Sequence, residues 1–191
     1  MTISGTITRA WCRLLAGLLA LAAGSGATAA GNPWILVDTR DRTLTVLEGA
    51  GRVLERFPQV ALGSAGVTRE RRKGDAKTPL GTFHVAWINY NSRFQVFFGL
   101  DFPSMDDADR AYRRQLIDRA TYGAFIDAAL EHRPPPQNTP LGGWIGIHGL
   151  GAGNPVIHRN FNWTDGCIAL TNGEARSLAR WVRIGTKVVI R

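Results

Sequence analysis

Three runs near the start of the chain repeat with a period of two. Trp34 to Thr39 (WILVDT), Thr43 to Glu48 (TLTVLE) and Arg52 to Leu62 (RVLERFPQVAL) set apolar residues at alternate positions. That spacing turns one face of an extended strand toward a core. Arg40-Asp41-Arg42 and Gly49-Ala50-Gly51 separate the runs as turns, and Pro58 marks an edge or a bulge, because proline has no N–H for a ladder. Phe83 to Asn89 (FHVAWIN) alternates in the same way, and Lys187 to Arg191 (KVVIR) reads as a closing strand. The pattern predicts a mainly β, α+β domain that opens on a meander.

Helical spacing interrupts this pattern twice. Residues 91–140 are expected to form a helical insertion. Ser104 and Asp107 make a capping-box pair, followed by a face of Ala108, Ala111, Tyr112, Gln115 and Leu116. A second face of Tyr122, Phe125, Ile126, Ala129 and Leu130 ends at Arg133-Pro134-Pro135-Pro136. Such an insertion packs on the β domain or caps a cleft. Thr171 and Glu174 form another capping box, with Ala175, Leu178, Ala179 and Val182 as the apolar face and Gly185 as the stop. The polar segment 63–77, with Arg69, Arg71, Arg72 and Lys73, reads as a solvated charge run; its alternative role is a basic rim that draws in carboxylates.

At 191 residues the chain fits one domain with appendages. Residues 1–30 read as a secretory leader. Arg9 and Arg13 give a basic start, Leu14 to Ala23 is apolar but short for a membrane span, and Ala27-Thr28-Ala29 fits a cleavage site. Cys12 precedes the apolar run, so it is not a lipoprotein cysteine. Residues 31–191 are then the functional domain, exported to the periplasm or cell-wall compartment. Losing Arg9 and Arg13 with the leader leaves 21 basic residues against 15 acidic, a net +6. Export argues against nucleic acid as the partner of this charge and for anionic wall polymer or lipid head groups. One cysteine remains, so no internal disulfide forms.

That cysteine, Cys167, lies in Trp144 to Asn172, together with His148 and His158. Trp144 to His148 and Cys167 to Thr171 are both strand-like, so two neighbouring strand ends can bring thiol and imidazole together. A histidine in reach lowers a thiol pKa from about 8.5 toward ~3.5–7.5. The thiolate attacks a carbonyl carbon and the imidazolium returns a proton to the leaving amine. Gly166 allows a sharp turn after Thr164 and Asp165, and the N–H groups of Gly166 and Cys167 are candidate oxyanion donors. The Gly149 carbonyl is the candidate acceptor for the second imidazole nitrogen. Two other readings stand beside this one. Cys167 fits a buried, unreactive strand residue. Cys167, His148, His158 and Asp165 are also permissible zinc ligands, although their spacing matches no tight ligand pairing. His84, alone in a strand, is left out of the site.

The segment His148-Gly149, a linker, then Thr164-Asp165-Gly166-Cys167-Ile168 resembles the signature of L,D-transpeptidase catalytic domains of the YkuD type. Upstream, Lys77-Thr78-Pro79-Leu80-Gly81-Thr82-Phe83 resembles the second recurring block of that family. The resemblance covers about residues 33–191. It implies a β-sandwich-like fold, no cofactor or metal, a monomer, and cysteine acyl transfer on peptidoglycan stem peptides. Cys167 would be the nucleophile, His148 the base and Gly149 the orienting carbonyl. Cys167 would attack the L-centre carbonyl of diaminopimelate, releasing D-alanine from a tetrapeptide, and an amine or water would resolve the thioester. Carbapenem acylation of Cys167 is also implied. Two positions depart from the pattern: Asp165 stands where histidine is frequent, and Ala169 where arginine is common. These features are similar to those of a branch in which some members hydrolyse, trimming stem peptides as L,D-carboxypeptidases or detaching a wall-attached lipoprotein as amidases. Thr164, Asp165 and Trp144 are candidate site-shaping residues, and Arg93 and Arg159 are candidate substrate contacts. A non-catalytic peptidoglycan-binding module is the alternative of another class.

Overall fold

The structure is a computed structural model that describes residues 1–2 and 31–191. The expected leader therefore lies outside the described residues, apart from its first two. The described chain is strand-rich, with ten strands and four helices among the described residues. Eight strands form one mixed sheet, in the spatial order β3 (Arg52–Phe57), β2 (Thr43–Glu48), β1 (Pro33–Asp38), β10 (Lys187–Ile190), β6 (Gly81–Ser92), β7 (Gln95–Leu100), β8 (Gly146–Gly149) and β9 (Ile168–Leu170).

The meander is β1 (Pro33–Asp38), β2 (Thr43–Glu48) and β3 (Arg52–Phe57), paired antiparallel. Its alternation matches the inward rows: Ile35, Val37, Leu44 and Val46 are fully buried. The third run was expected to continue to Leu62 but stops at Phe57. Pro58 offers no N–H and Gln59 takes φ 59°, so the chain leaves the ladder. It then crosses to the far edge of the sheet. There Ala61 exchanges both backbone bonds with Ala169, at 3.0 and 2.8 Å. The sheet thus curls back toward itself.

The closing strand β10 (Lys187–Ile190) runs parallel to β1 and antiparallel to β6 (Gly81–Ser92). β6 is the hinge of the architecture. Its first residues, Gly81 to His84, pair with β10, and from Val85 onward it pairs with β7 (Gln95–Leu100) across register shifts. The two halves enclose one core that unites Ile35, Val37 and Val188 with Phe98, Ile147 and Ile168. A short parallel pair, β4 (Val67–Thr68) with β5 (Thr78–Pro79), precedes β6.

The helical insertion starts later than expected. Residues 95–100 are strand β7, and the helices are α1 (Met105–Arg113) and α2 (Arg119–Leu130). Aromatic and β-branched residues in QVFFGL, paired on both sides by β6 and β8, outweigh any helical reading of that stretch. The Ser104–Asp107 capping box is present. The second helix buries Phe125 and Ala128, while Ile126 and Leu130 are exposed. It packs on α1 through a narrow stripe with Ala108, Ala111, Ile117 and Leu141, and the rest of its apolar face is exposed among the described residues.

β8 (Gly146–Gly149), α3 (Pro155–Asn160) and β9 (Ile168–Leu170) carry the central stretch, and α4 (Asn172–Leu178) follows under its Thr171–Glu174 capping box. Trp144 and Cys167 were expected inside strands. Each lies just outside one.

Candidate active site

β8 and β9 run side by side in parallel, with Ile147 opposite Ile168 and His148 opposite Ala169. Ile147 and Ile168 are fully buried on the core side. Side chains alternate across a sheet, so His148 and the position two before Ala169, Cys167, share the other face. Extending the register by one step sets Cys167 opposite Gly146, whose backbone hydrogen-bonds the cysteine and favours its thiolate.

His148 is almost wholly buried, between Phe94 at 4.2 Å, Phe97 at 6.0 Å and Trp163 at 6.0 Å between ring centroids. Its Nδ1 lies 2.7 Å from the Gly149 carbonyl. A carbonyl only accepts, so Nδ1 carries the proton and Nε2 is left as the basic nitrogen. Burial pulls the imidazole pKa from 6.5 down to about 4, against the raising effect of the Gly149 carbonyl.

The cysteine is shifted the other way. Cys167 is partly exposed as a residue, but its sulfur is desolvated, and burial pushes the thiol up to about 11, against the lowering effects of Gly146 and Arg71. The sequence led us to expect a thiol lowered by its histidine. The structure points the other way: burial shifts the thiol up and the imidazole down, each away from its charged form. Burial is the largest cause in each case, and it disfavours the charged form of thiol and imidazole alike. The thiol donates to the Trp144 carbonyl at 3.4 Å.

The turn before the cysteine is tightly fixed. Thr164 Oγ1 donates to the Cys167 carbonyl at 2.7 Å and accepts from Gly166 N–H at 3.1 Å. The Gly166 amide, one of the two oxyanion donors nominated from the sequence, is therefore engaged within the turn; Cys167 N–H is the other. Gly166 has φ +123°, and a Cβ there would stand 2.6 Å from the Lys77 carbonyl and 3.0 Å from Ile145. Lys77 opens the second motif block, so the two blocks touch at this point. Thr78 Oγ1 accepts from Gly63 N–H at 2.8 Å, and Ser64 N–H donates to the Thr164 carbonyl at 2.8 Å, which joins that block to the turn.

Trp144 is exposed, with φ +57°, an unusual conformation for a bulky residue. Its N–H donates to Gln137 Oε1 at 2.7 Å, and its indole meets Trp87 edge-on at 5.9 Å. The Asp165 side chain is exposed, and its charge raises the Cys167 pKa. Arg93 lies over the Phe94 ring at 4.7 Å and helps line a cleft of about 420 Å³ with Leu150, Ile157 and Trp163. Arg159 is exposed outside the lining of that cleft. His158 is buried and accepts from Trp163 Nε1 at 3.4 Å. Among the described residues, no three of His, Cys, Asp and Glu converge as a metal-binding group. His84, in β6, pairs with Asp101, the residue after β7, at 3.2 Å.

Sequence reasoning missed Arg71, which it assigned to a solvated run. The residue is buried and reaches this turn: its Nη2 donates to the Asp165 carbonyl at 2.8 Å. Spacing gave no signal of this, because segment 63–77 has no period.

The sequence matches the L,D-transpeptidase catalytic domain family (YkuD) over residues 32–190. The chain belongs to that family. Solved structures similar to this L,D-transpeptidase-family chain include the helical cell shape determining protein Pgp2 from Campylobacter jejuni, with 20% identity and a TM-score of 0.57 over 85% of this chain and 49% of that one. Bd1075 from Bdellovibrio bacteriovorus matches with 19% identity and a TM-score of 0.53 over 87% of this chain and 50% of that one. The chain spans about half the length of these structures, and at such identity they speak to the fold. No match was found among curated proteins.

Proposed function

We propose that this chain is an exported, cysteine-dependent L,D-transpeptidase acting on diaminopimelate-containing stem peptides in the periplasm. The observation that carries the reading is the β8/β9 register. It sets Cys167 and His148 on one face, with the imidazole proton held on Nδ1 by Gly149. Membership of a family that acts on peptidoglycan supplies the substrate class.

In the proposed cycle His148 Nε2 takes the Cys167 proton as sulfur attacks the L-centre carbonyl of diaminopimelate. Charge develops on the carbonyl oxygen, where the Cys167 N–H supports it. Collapse breaks the peptide bond, and His148 gives its proton to the departing D-alanine amine. The thioester then acylates an amine of a second stem, His148 takes that amine's proton, and the thiol re-forms. Because burial disfavours the charged forms of both groups, His148 acts as a general base in this cycle, and the thiolate forms in step with attack.

The test is mass analysis of the protein and of muropeptide tetrapeptides after incubation. Loss of D-alanine with a new cross-link, abolished in Cys167→Ala and in His148→Ala, supports transpeptidation. Loss of D-alanine alone assigns an L,D-carboxypeptidase, and release of a wall-attached lipoprotein peptide an amidase. Unmodified protein, unchanged muropeptides and no carbapenem adduct on Cys167 would sink acyl transfer and leave a binding module.

A further inference from the structure

Arg71 is the one buried arginine or lysine among the described residues, and the proposed cycle gives it no task. Its side chain is 6% exposed. The guanidinium divides its donors among three separate segments: Nε to the Lys77 carbonyl at 3.0 Å, Nη1 to the Leu141 carbonyl at 3.2 Å, and Nη2 to the Asp165 carbonyl at 2.8 Å. The nearest carboxylate, Asp75, stands 3.7 Å from Nε. An arginine buried on neutral carbonyls, with a loose partner, keeps most of its field for its surroundings.

Those surroundings are the nucleophile turn. A Cβ on Gly166 would stand 3.1 Å from Arg71 Nε, so the guanidinium lies against the residue preceding Cys167. It also clamps both ends of the helical insertion. Leu141 is the exit, and Phe102, at the entrance, has its ring centroid 5.8 Å from the guanidinium carbon. The backbone of Gly142 leaves room for Nη1 where any side chain would collide with it. Ala169, the residue two after the cysteine, is fully buried against Ala61 and brings no charge.

We propose that Arg71 is a positioning residue for the nucleophile: its three-carbonyl fork fixes the Thr164–Cys167 turn, and its charge stabilises the thiolate as it forms. The inference rests on the acyl-transfer reading for its catalytic half only. The charged and titratable groups facing the thiol are Arg71 from the loop, Asp165 from the turn and His148 from β8. Asp165 opposes the thiolate and His148 becomes cationic only by taking the thiol's proton, so Arg71 is the one favourable charge already in place before the proton moves.

The experiment compares purified wild type, Arg71→Met and Arg71→Lys, each checked for folding by circular dichroism and melting. The first readout is alkylation of Cys167 by iodoacetamide at pH 9, which needs no substrate. Losing the charge raises the thiol pKa. A one-unit rise lowers the thiolate fraction tenfold but makes the thiolate more nucleophilic, so Arg71→Met should react about threefold more slowly. Arg71→Lys should react at close to the wild-type rate. The second readout is turnover of the stem tetrapeptide. Arg71→Met should lower kcat about tenfold or more with little change in KM, as expected for a displaced nucleophile. Arg71→Lys should stay well below wild type, because one ammonium cannot span three carbonyls. Wild-type alkylation in folded Arg71→Met overturns the charge role, and wild-type kcat in Arg71→Lys overturns the fork. If Arg71→Met does not fold, the Lys variant decides alone, and its wild-type kcat overturns the proposal. Wild-type protein that turns over no stem peptide would count against acyl transfer, while the alkylation ratio would still judge Arg71.

Discussion

At the scale of single residues, the desolvated pair dictates how the site responds to pH. Protonated His148 cannot accept the thiol proton, and its pKa is drawn down to about 4 by burial. Turnover under kcat/KM conditions should therefore fall about tenfold per unit only below that value, and stay level through neutrality. The free thiol should look unreactive at pH 7, since a pKa of about 11 leaves roughly one thiolate in ten thousand. Alkylation should still be climbing between pH 9 and 10. A rate already level above pH 6 would instead reveal a thiolate–imidazolium pair. Gly166 offers a steric test. Gly166→Ala adds a Cβ 2.6 Å from the Lys77 carbonyl at a φ of +123°. It should cost on the order of 2 kcal/mol and reduce kcat about a hundredfold, read by denaturant unfolding and steady-state turnover. The residue types of this turn were legible in the sequence. The burial that sets the sign of the pKa shifts was not, because for His148 it depends on Phe94 and Phe97, brought from a distant hairpin, and on Trp163 across the site.

At the scale of elements, the insertion behaves as a braced wall. Its own small core is Ala108, Ala111, Ile117, Phe125 and Leu141. Its ties run to the loop after β4: Lys73 N–H donates to the Pro140 carbonyl at 2.8 Å, Lys73 Nζ to Asn138 Oδ1 at 2.8 Å, and Arg114 pairs with Glu70. Gln137 bridges it to the site, accepting from Trp144 and donating to the Phe102 carbonyl at 3.1 Å. Phe125→Ala should remove about 3 kcal/mol from the insertion. Hydrogen exchange should then rise across residues 105–141 and leave β8 and β9 protected. The capping boxes at Ser104 and Thr171 could be read directly because a capping signal is local. The strand β7 could not, since a short apolar run suits either state until its neighbours are known.

At the scale of the whole molecule, the buried imidazole links stability to pH. The unfolded chain protonates His148 near 6.5, the folded chain only near 4. Between those values the unfolded state holds more protons, so stability is full above about pH 6.5 and is lost as pH falls toward 4. The loss from this one group should be about 3 kcal/mol. Melting temperatures of wild type and His148→Gln across that window should converge at the acid end.

The sequence by itself determined the local features: the period-two strands, the two capping boxes, the glycine before the cysteine, and the paired motif blocks that mark the family. Each depends on residues within a few positions of one another. Only the tertiary structure decided that β8 and β9 lie parallel with Cys167 and His148 on one face. It alone set the burial that shifts both groups away from their charged forms, and it alone turned Arg71 inward from a run of exposed cations. Register, desolvation and the route of a long side chain are properties of distant segments brought into contact, and no local spacing encodes them.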